Sequence, residues 1–115
     1  MKPILAITMG DPAGIGPEIC ARSLSHHEIY STCRPLIVGD ASIMQKAIDL
    51  LGLGLKVNPI HDVKEAQFTP GVTDVFDLGL IDLNTFEWGK VQVQCGNAAF
   101  QYVKKAIDLA MANEC

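Results

Sequence analysis

The residues best suited to chemistry lie in one short stretch near the start of the chain, TMGDPAGIGPEI, residues 8–19. The stretch holds two carboxylates, Asp11 and Glu18, among three glycines and two prolines. Glycine lets a ligand approach the backbone closely and permits positive φ. A helix that begins after such a loop presents unpaired N–H groups and a positive dipole end to an anion. The stretch therefore predicts an anion-binding loop or, alternatively, a rigid corner between two elements.

The spacing of the glycines does not decide between these two interpretations. Gly10, Gly14 and Gly16 fall as GxxxGxG, which is neither the GxGxxG dinucleotide fingerprint nor the phosphate-binding GxxxxGK[ST] motif. In a purely structural corner the two prolines limit φ. Asp11 is then a turn or cap residue, and Glu18 is a first-turn partner of the helix dipole. From the residues alone both interpretations stay open.

Four segments around this loop predict β-strands. Residues 3–9, PILAITM, and 34–40, RPLIVGD, are apolar runs typical of strands buried on both faces. Residues 55–60, LKVNPI, contain Pro59, which favours a position near a sheet edge. Residues 73–79, TDVFDLG, are the fourth candidate.

The first predicted helix begins directly after the glycine loop. Pro17 fits its first turn, because the N–H that proline lacks has no partner there. Its apolar side is formed by Ile19, Cys20 and Leu24, and the pattern fades over residues 25–32.

Two later helices each show an apolar stripe. Asp40 can cap the second helix, which ends at Gly52 and Gly54. Its apolar face consists of Ile43, Ala47, Ile48 and Leu51. The opposite, polar face consists of Gln45, Lys46 and Asp49. The last helix starts near Gly96, and residues 80–94 before it give no firm prediction. Its apolar stripe consists of Phe100, Val103, Ile107, Ala110 and Met111. Its polar face consists of Gln101, Lys104, Lys105 and Asp108.

The alternation of strands and helices predicts an α/β fold with a mostly parallel sheet and flanking helices, formed as one unit by residues 1–115. The chain is 49% hydrophobic, which is high for 115 residues, since a short chain covers little of its own surface. We therefore expect a partner, either a second subunit or the rest of a longer chain.

Composition excludes several classes of protein. The net charge is −4 and Lys and Arg do not cluster, so phosphate neutralisation in a nucleic acid is not expected. No apolar run approaches the roughly 18 residues of a membrane span. The apolar run at the N-terminus is too short for a signal peptide, and we expect a cytoplasmic protein.

The cysteines and histidines do not form a recognisable metal or disulfide pattern. The four cysteines include no CxxC pair, and His26, His27 and His61 are not spaced with them as zinc ligands would be. We expect Cys20 to be buried in a helix, the other cysteines to be free thiols, and the histidines to lie at the surface. No catalytic residue and no metal ligand is assigned within the chain.

Comparison of motifs adds a family to this interpretation. GDPAGIGPE resembles, nearly letter for letter, the N-terminal signature of the PdxA family, the 4-hydroxythreonine-4-phosphate dehydrogenases. The resemblance continues through PLIVGD at residues 35–40, TPGVTDVFDLG at 69–79 and GKVQVQCGNAAFQYVKKAIDLAM at 89–111, and so covers essentially the whole chain. The GKVQ and CGNAAF forms are closer to the branch that acts on 4-phosphorylated threonate or erythronate than to the pyridoxine (vitamin B6) branch.

The resemblance implies an isocitrate/isopropylmalate dehydrogenase-like fold, of which this chain is the N-terminal part. It implies a two-domain, homodimeric oxidoreductase that uses NAD and a divalent metal to oxidise and decarboxylate a small phosphorylated four-carbon hydroxy acid. It places Asp11, Gly14 and Gly16 in the cofactor-binding loop that borders the cleft. The histidines that hold the metal, and the basic residues that hold the phosphate, would lie outside this chain. We accordingly expect Gly14→Val in the longer enzyme to impair binding by distorting the loop, and the isolated chain to lack activity.

Two other hypotheses follow from the same residues. The chain could be a non-catalytic anion- or nucleotide-binding module or a subunit of a split assembly, since it lacks the expected catalytic groups. It could also be a truncated chain held together by dimerisation through an unpaired sheet edge.

Overall fold

A single parallel sheet organises the computed structural model, which describes residues 2–115. Its strands lie in the order β1-β2-β4-β3, and each neighbouring pair is parallel. This confirms the predicted α/β fold and parallel sheet. The strand bounds are β1 Ile4–Thr8, β2 Arg34–Gly39, β3 Lys56–Ile60 and β4 Val72–Asp77.

Helices connect these strands, and their bounds are α1 Gly16–Leu24, α2 Ile29–Thr32, α3 Ala41–Leu51 and α4 Val93–Met111, with a short 3-10 turn at Val63–Glu65. The short α2 was not predicted, and α4 begins three residues before the predicted Gly96. None of the helices within residues 2–115 has both the length and the apolar content needed to cross a membrane.

The two predictions of strands buried on both faces had different outcomes. In β2, which lies between β1 and β4, Leu36, Ile37 and Val38 are fully buried, as predicted. For β1 the prediction is wrong, because Leu5 on one face of the strand is 48% exposed. Within residues 2–115 this strand also pairs on one side only and so forms an edge of the sheet. A purely apolar run does not reveal whether both faces of a strand are covered. β3 does lie at an edge of the sheet, as its Pro59 indicated.

The helices pack in two groups. α1 contacts α3, whereas α4 packs across β1 and β2. Because connections between parallel strands are right-handed, the helices in connections that run from β1 towards β3 lie on one face of the sheet. The chain runs back from β4 towards β1 through α4, so α4 lies on the other face. In α1, Cys20 and Leu24 are buried as predicted, but Ile19 is exposed, so its assignment to the apolar side was wrong.

Asp40 stands at the N-cap of α3, as predicted, but its side chain does not cap the helix. Its carboxyl group instead accepts two long-range hydrogen bonds, from the Tyr102 hydroxyl to Oδ1 at 2.6 Å and from the Ile81 N–H to Oδ2 at 2.9 Å. The Ala41 N–H at the start of α3 donates to Asp77 at the end of β4. Asp40 therefore joins α4 and the segment after β4 to the end of β2.

The apolar face of α3 is confirmed, but that of α4 is not the face that packs on the sheet. In α3 the predicted apolar residues are buried or half-buried and the predicted polar ones are exposed. In α4 the buried residues are Cys95, Ala98, Tyr102 and Leu109. The predicted stripe is exposed instead, with Phe100 at 66% and Met111 at 80%. The sheet-facing side contains small residues and a tyrosine, so ranking positions by hydrophobicity selected the opposite face.

The Tyr102–Asp40 contact predicts a specific response to alkaline pH. Burial, and then the hydrogen bond to Asp40, raise the pKa of Tyr102 well above its usual value. The unfolded chain therefore loses this proton near pH ~10 while the folded chain keeps it. Below pH ~10 the ionisation of Tyr102 should leave the free energy of unfolding unchanged. As pH rises above ~10, the free energy of unfolding should fall, because only the unfolded chain loses the proton. We expect Tyr102→Phe to reduce that slope by about 1.4 kcal/mol per pH unit.

Urea unfolding at several pH values from neutral to alkaline would measure the slope. Tyr30, whose pKa is raised by burial to about 12, contributes equally to both proteins and cancels in the comparison. Equal slopes in the wild type and the variant would show that Tyr102 ionises alike in the folded and unfolded chains.

Candidate functional site

The glycine loop forms a compact turn between β1 and α1. Gly10 has φ +76°, a left-handed conformation that favours glycine. Asp11 then closes the turn twice, because its Oδ1 accepts the Ala13 N–H at 2.9 Å and its carbonyl accepts the Gly14 N–H at 2.9 Å. Asp11 therefore performs the turn role that was one of its two interpretations.

Gly16, rather than Gly14, is the glycine that the corner requires. A Cβ atom on Gly16 would lie 2.1 Å from the Met9 carbonyl oxygen, a distance that no side chain can occupy. A Cβ on Gly14 would lie 3.4 Å from the Asp11 carbonyl oxygen, at the near limit of ordinary contact, and Gly14 has no positive φ. The first carbon of a side chain therefore fits at Gly14 but not at Gly16, and the distortion expected from Gly14→Val stays a prediction about the two methyl groups beyond that carbon.

A second segment, residues 86–92, lies against the glycine loop. The Gly89 N–H donates to the Ala13 carbonyl at 2.8 Å and joins the two segments directly. Within the segment, Gln92 bonds the backbone of Glu87 through both ends of its amide, and Phe86 packs edge-on against Trp88. No structure was predicted for these residues, although GKVQ, which begins at Gly89, belonged to the family resemblance.

Two adjoining cavities open where these segments meet. The first has a volume of about 150 Å³ and is lined by Asp11, Ala13, Gly14, Gly89, Lys90 and Val91. The second is larger, about 410 Å³, and mostly apolar, and it is lined by Ala13, Gly14, Ile15, Glu18, Leu50, Trp88 and Gly89. Both lie beyond the carboxyl end of β1, where open α/β sheets bind ligands.

The smaller cavity brings together one side chain of each charge. Asp11 and Lys90 are both exposed and both line it. Lys90 also pairs with Glu87 at 2.6 Å, but both of these side chains are mostly in solvent. Exposed pairs of this kind contribute little free energy, so the ammonium group is available to an anionic ligand. The N–H groups of the first turn of α1 add positive potential nearby.

Cys95 lies beneath the loop but is not suited to act as a nucleophile. It is fully buried at the start of α4. Burial, followed by the negative charge of Asp11, raises the pKa of its thiol, and a hydrogen bond with the Ala13 backbone acts in the opposite direction. A raised pKa keeps the thiol protonated near neutral pH, and the thiol is the unreactive form. Cys95 therefore packs the underside of the loop.

The three residues predicted for cofactor binding occupy different positions. Asp11 and Gly14 line the cavities, whereas Gly16 stands behind them in the corner. All three histidines are exposed, and all four cysteines are free thiols, as predicted. Within residues 2–115 no three His, Cys, Asp or Glu side chains lie close enough to hold a metal ion. Sequence reasoning missed Trp88 and Lys90, which the segment at 86–92 brings to the loop.

Known proteins resemble this chain over nearly its full length. A sequence model of a family described as pyridoxal phosphate biosynthetic protein PdxA matches residues 31–115. A protein of Symbiobacterium thermophilum, provisionally named a D-threonate 4-phosphate dehydrogenase, is 46% identical over 110 residues. The match covers 96% of this chain and 33% of that protein. A protein of Clostridium botulinum with the same provisional name is 42% identical. That match covers 98% of this chain and 34% of the length of the Clostridium protein.

Solved structures give the same result. The crystal structure of a 4-hydroxythreonine-4-phosphate dehydrogenase from Burkholderia phymatum superposes with a TM-score of 0.94 at 40% identity, over 98% of this chain and 34% of that one. The corresponding enzyme of Klebsiella pneumoniae gives a TM-score of 0.88 at 34% identity. The parallel sheet and its helices are thus those of such dehydrogenases. The chain spans about one third of the length of these relatives.

The contrast between the two loop glycines can be tested by a matched pair of substitutions. Gly16→Ala should lower the free energy of unfolding by about 2 kcal/mol, within the range of overpacking, because the methyl group must displace the Met9 carbonyl. Gly14→Ala should change it by less than about 0.5 kcal/mol. Denaturant unfolding of both variants measures the difference. Equal effects at the two positions would refute the close approach at Gly16.

Proposed function

Because this chain belongs to the family of pyridoxal phosphate biosynthetic protein PdxA, we propose that the full-length protein is an NAD-dependent dehydrogenase of a phosphorylated four-carbon hydroxy acid. The observation that carries the proposal is the pair of cavities between the glycine loop and residues 86–92, at the carboxyl end of β1. The relatives that share this unit are named as dehydrogenases of such phosphorylated compounds.

The expected substrate is D-threonate 4-phosphate. The relatives at 46% and 42% identity carry that name, whereas the solved enzymes named for 4-hydroxythreonine 4-phosphate are 40% and 34% identical. The two compounds share a C4 phosphate and a C3 hydroxyl and differ in a hydroxyl or an amino group at C2. Oxidation would remove a hydride from C3 and a proton from its hydroxyl. The resulting 3-keto acid would lose carbon dioxide from C1 and take up a proton at C2.

Residues of this chain would bind and orient rather than carry protons. Lys90 and the first turn of α1 would attract a phosphate, either of the substrate or of the cofactor. The carboxylate of Asp11 would accept hydrogen bonds from hydroxyl groups, and Gly14 would allow close backbone approach. Trp88, Ile15 and Leu50 would exclude water from the larger cavity. NAD, when bound, would supply the hydride acceptor.

The metal that such a reaction would use does not fit the residues of this chain. No suitable set of ligands occurs within residues 2–115, so a divalent ion would be held by residues from the rest of the protein. A catalytic acid or base would have the same origin. The full-length protein would form a homodimer, and the 115-residue chain alone would bind anions without turnover.

The proposal is tested by assaying the full-length protein with D-threonate 4-phosphate, NAD and Mg²⁺, and by following NADH. We expect turnover that needs the C4 phosphate and that is slower with 4-hydroxythreonine 4-phosphate. Lys90→Ala should raise KM for the substrate or for NAD about tenfold, consistent with loss of a charge-assisted hydrogen bond of about 1.4 kcal/mol. Lys46→Ala, which removes an exposed lysine on α3, should leave KM unchanged.

Two results would count against this function, and a third against the role of Lys90 alone. Absence of NADH formation with either phosphorylated acid would reject the dehydrogenase. Equal turnover of unphosphorylated threonate would reject phosphate recognition. An unchanged KM in Lys90→Ala for both ligands would remove Lys90 from the site while leaving the activity itself intact.

A further inference from the structure

The surface of α4 that faces away from the sheet is apolar along nearly the whole helix. The outer stripe consists of Val93, Phe100, Val103, Ile107 and Met111, each at least 48% exposed. With 3.6 residues per turn, Phe100, Ile107 and Met111 fall within roughly 20° of one line. Tyr102 and Leu109, which pack on the sheet, lie on the opposite side of the helix. The outer stripe is therefore opposite the buried face, not an extension of it.

A helix with two opposed apolar faces is typical of a buried position. A surface helix carries charged and polar residues opposite its core-facing side, as α3 does with Gln45, Lys46 and Asp49. In α4 the side that would face solvent carries a phenylalanine, an isoleucine and a methionine along its middle, with Lys104 at its flank. This pattern indicates that further polypeptide packs on α4 in the complete protein.

The size of the outer stripe argues against a second copy of this chain as its main occupant. From Val93 to Met111 the helix extends about 27 Å, and a helix is about 10 Å wide. Pairing of two such stripes would cover near 300 Å² on each partner, against about 800 Å² per partner in a stable interface. A helix-on-helix contact of this size is ordinary inside one folded chain.

The length and topology of the protein favour a segment of the same polypeptide. The relatives are about three times as long as this chain, so most of their residues have yet to be placed around this unit. β1, on which α4 packs, pairs on one side only, so an unpaired sheet edge lies beside the helix. A right-handed connection from α4 to a further parallel strand would reach that edge. A strand at that edge would bring the following chain beside α4, whereas the outer stripe itself faces away from the sheet.

We infer that, in the full-length protein, residues following Cys115 in the same polypeptide pack on the outer stripe of α4 and hold the rest of the enzyme against this unit. The contacting segment presents an apolar face to the stripe and leaves room at its flank for Lys104, which lies about 40° around the helix from Phe100. This contact joins the glycine loop to the remainder of the protein through α4. The inference depends on the length of the relatives and on the fold, not on the identity of the substrate.

A photocrosslinking experiment on the full-length protein identifies the occupant. The photoreactive analogue p-benzoylphenylalanine is incorporated in place of Phe100, and after irradiation the products are separated by mass and mapped by peptide sequencing. We expect a product with the mass of one chain, in which position 100 is joined to a residue beyond 115. The same analogue at Lys46, on the exposed face of α3, is the control and should give little crosslinked product.

Oxidation of methionine gives a second measurement that does not alter the stripe. In full-length protein carrying Lys46→Met, dilute hydrogen peroxide should oxidise the new side chain at least tenfold faster than Met111. Met44, which is fully buried, reports that the fold is intact. In the 115-residue chain, Met111 should react as fast as the exposed reference while Met44 stays protected.

Each alternative outcome overturns the inference. A crosslinked product with the mass of two chains would assign the stripe to a second copy. Met111 that reacts in the full-length protein as fast as the exposed reference, together with the absence of crosslinking at position 100, would show that the stripe is open to solvent. Loss of dehydrogenase activity has no bearing on either readout.

Discussion

The buried hydrogen bond between Tyr102 and Asp40 is the contact on which the arrangement of the site depends. A carboxyl group that is 1% exposed must have partners, since an unpaired buried polar group is costly. Asp40 finds them in Tyr102, at 2.6 Å, and in the backbone of Ile81. One side chain at the end of β2 therefore fixes both α4 and the segment that leads to residues 86–92. Cys95, two helical turns before Tyr102 on the same face of α4, then packs beneath Ala13, so the position of the loop depends on the same contact.

The two interpretations of the glycine loop, a rigid corner and the wall of a binding site, prove compatible because different residues serve them. Gly16 makes the corner: its backbone passes so close to the Met9 carbonyl that only hydrogen fits. Asp11 and Gly14 face the cavities, and there the geometry leaves room. The rigid corner holds the exposed backbone in place, so a ligand would meet a surface that is already ordered. Such preorganisation lowers the entropy lost on binding.

Much of the fold follows from the sequence because it depends on local pattern. Apolar runs located β1 and β2, shorter candidate segments located β3 and β4, and the periodicity of α3 gave its buried face. The predictions that failed concern how elements pack against one another in the folded chain. β1 has the composition of a strand buried on both faces but leaves Leu5 exposed, and α4 packs its less hydrophobic face on the sheet because the Tyr102 hydroxyl reaches Asp40 there. The segment at 86–92 has no periodic pattern, and only the hydrogen bond from Gly89 to Ala13 reveals its place in the site.

The exposed stripe on α4 and the incomplete chemistry of the loop have a common explanation. The cavities offer a carboxylate, an ammonium group and backbone, but no set of metal ligands occurs among the described residues. The proposed dehydrogenase would bring its reactive groups from the rest of the polypeptide and hold them within a few ångströms of the loop. That precision requires a rigid contact between the two parts. The outer stripe lies on the helix that Asp40 already fixes relative to the loop, so packing on Phe100 and Ile107 would complete the hydrophobic core and set the geometry of the cleft together.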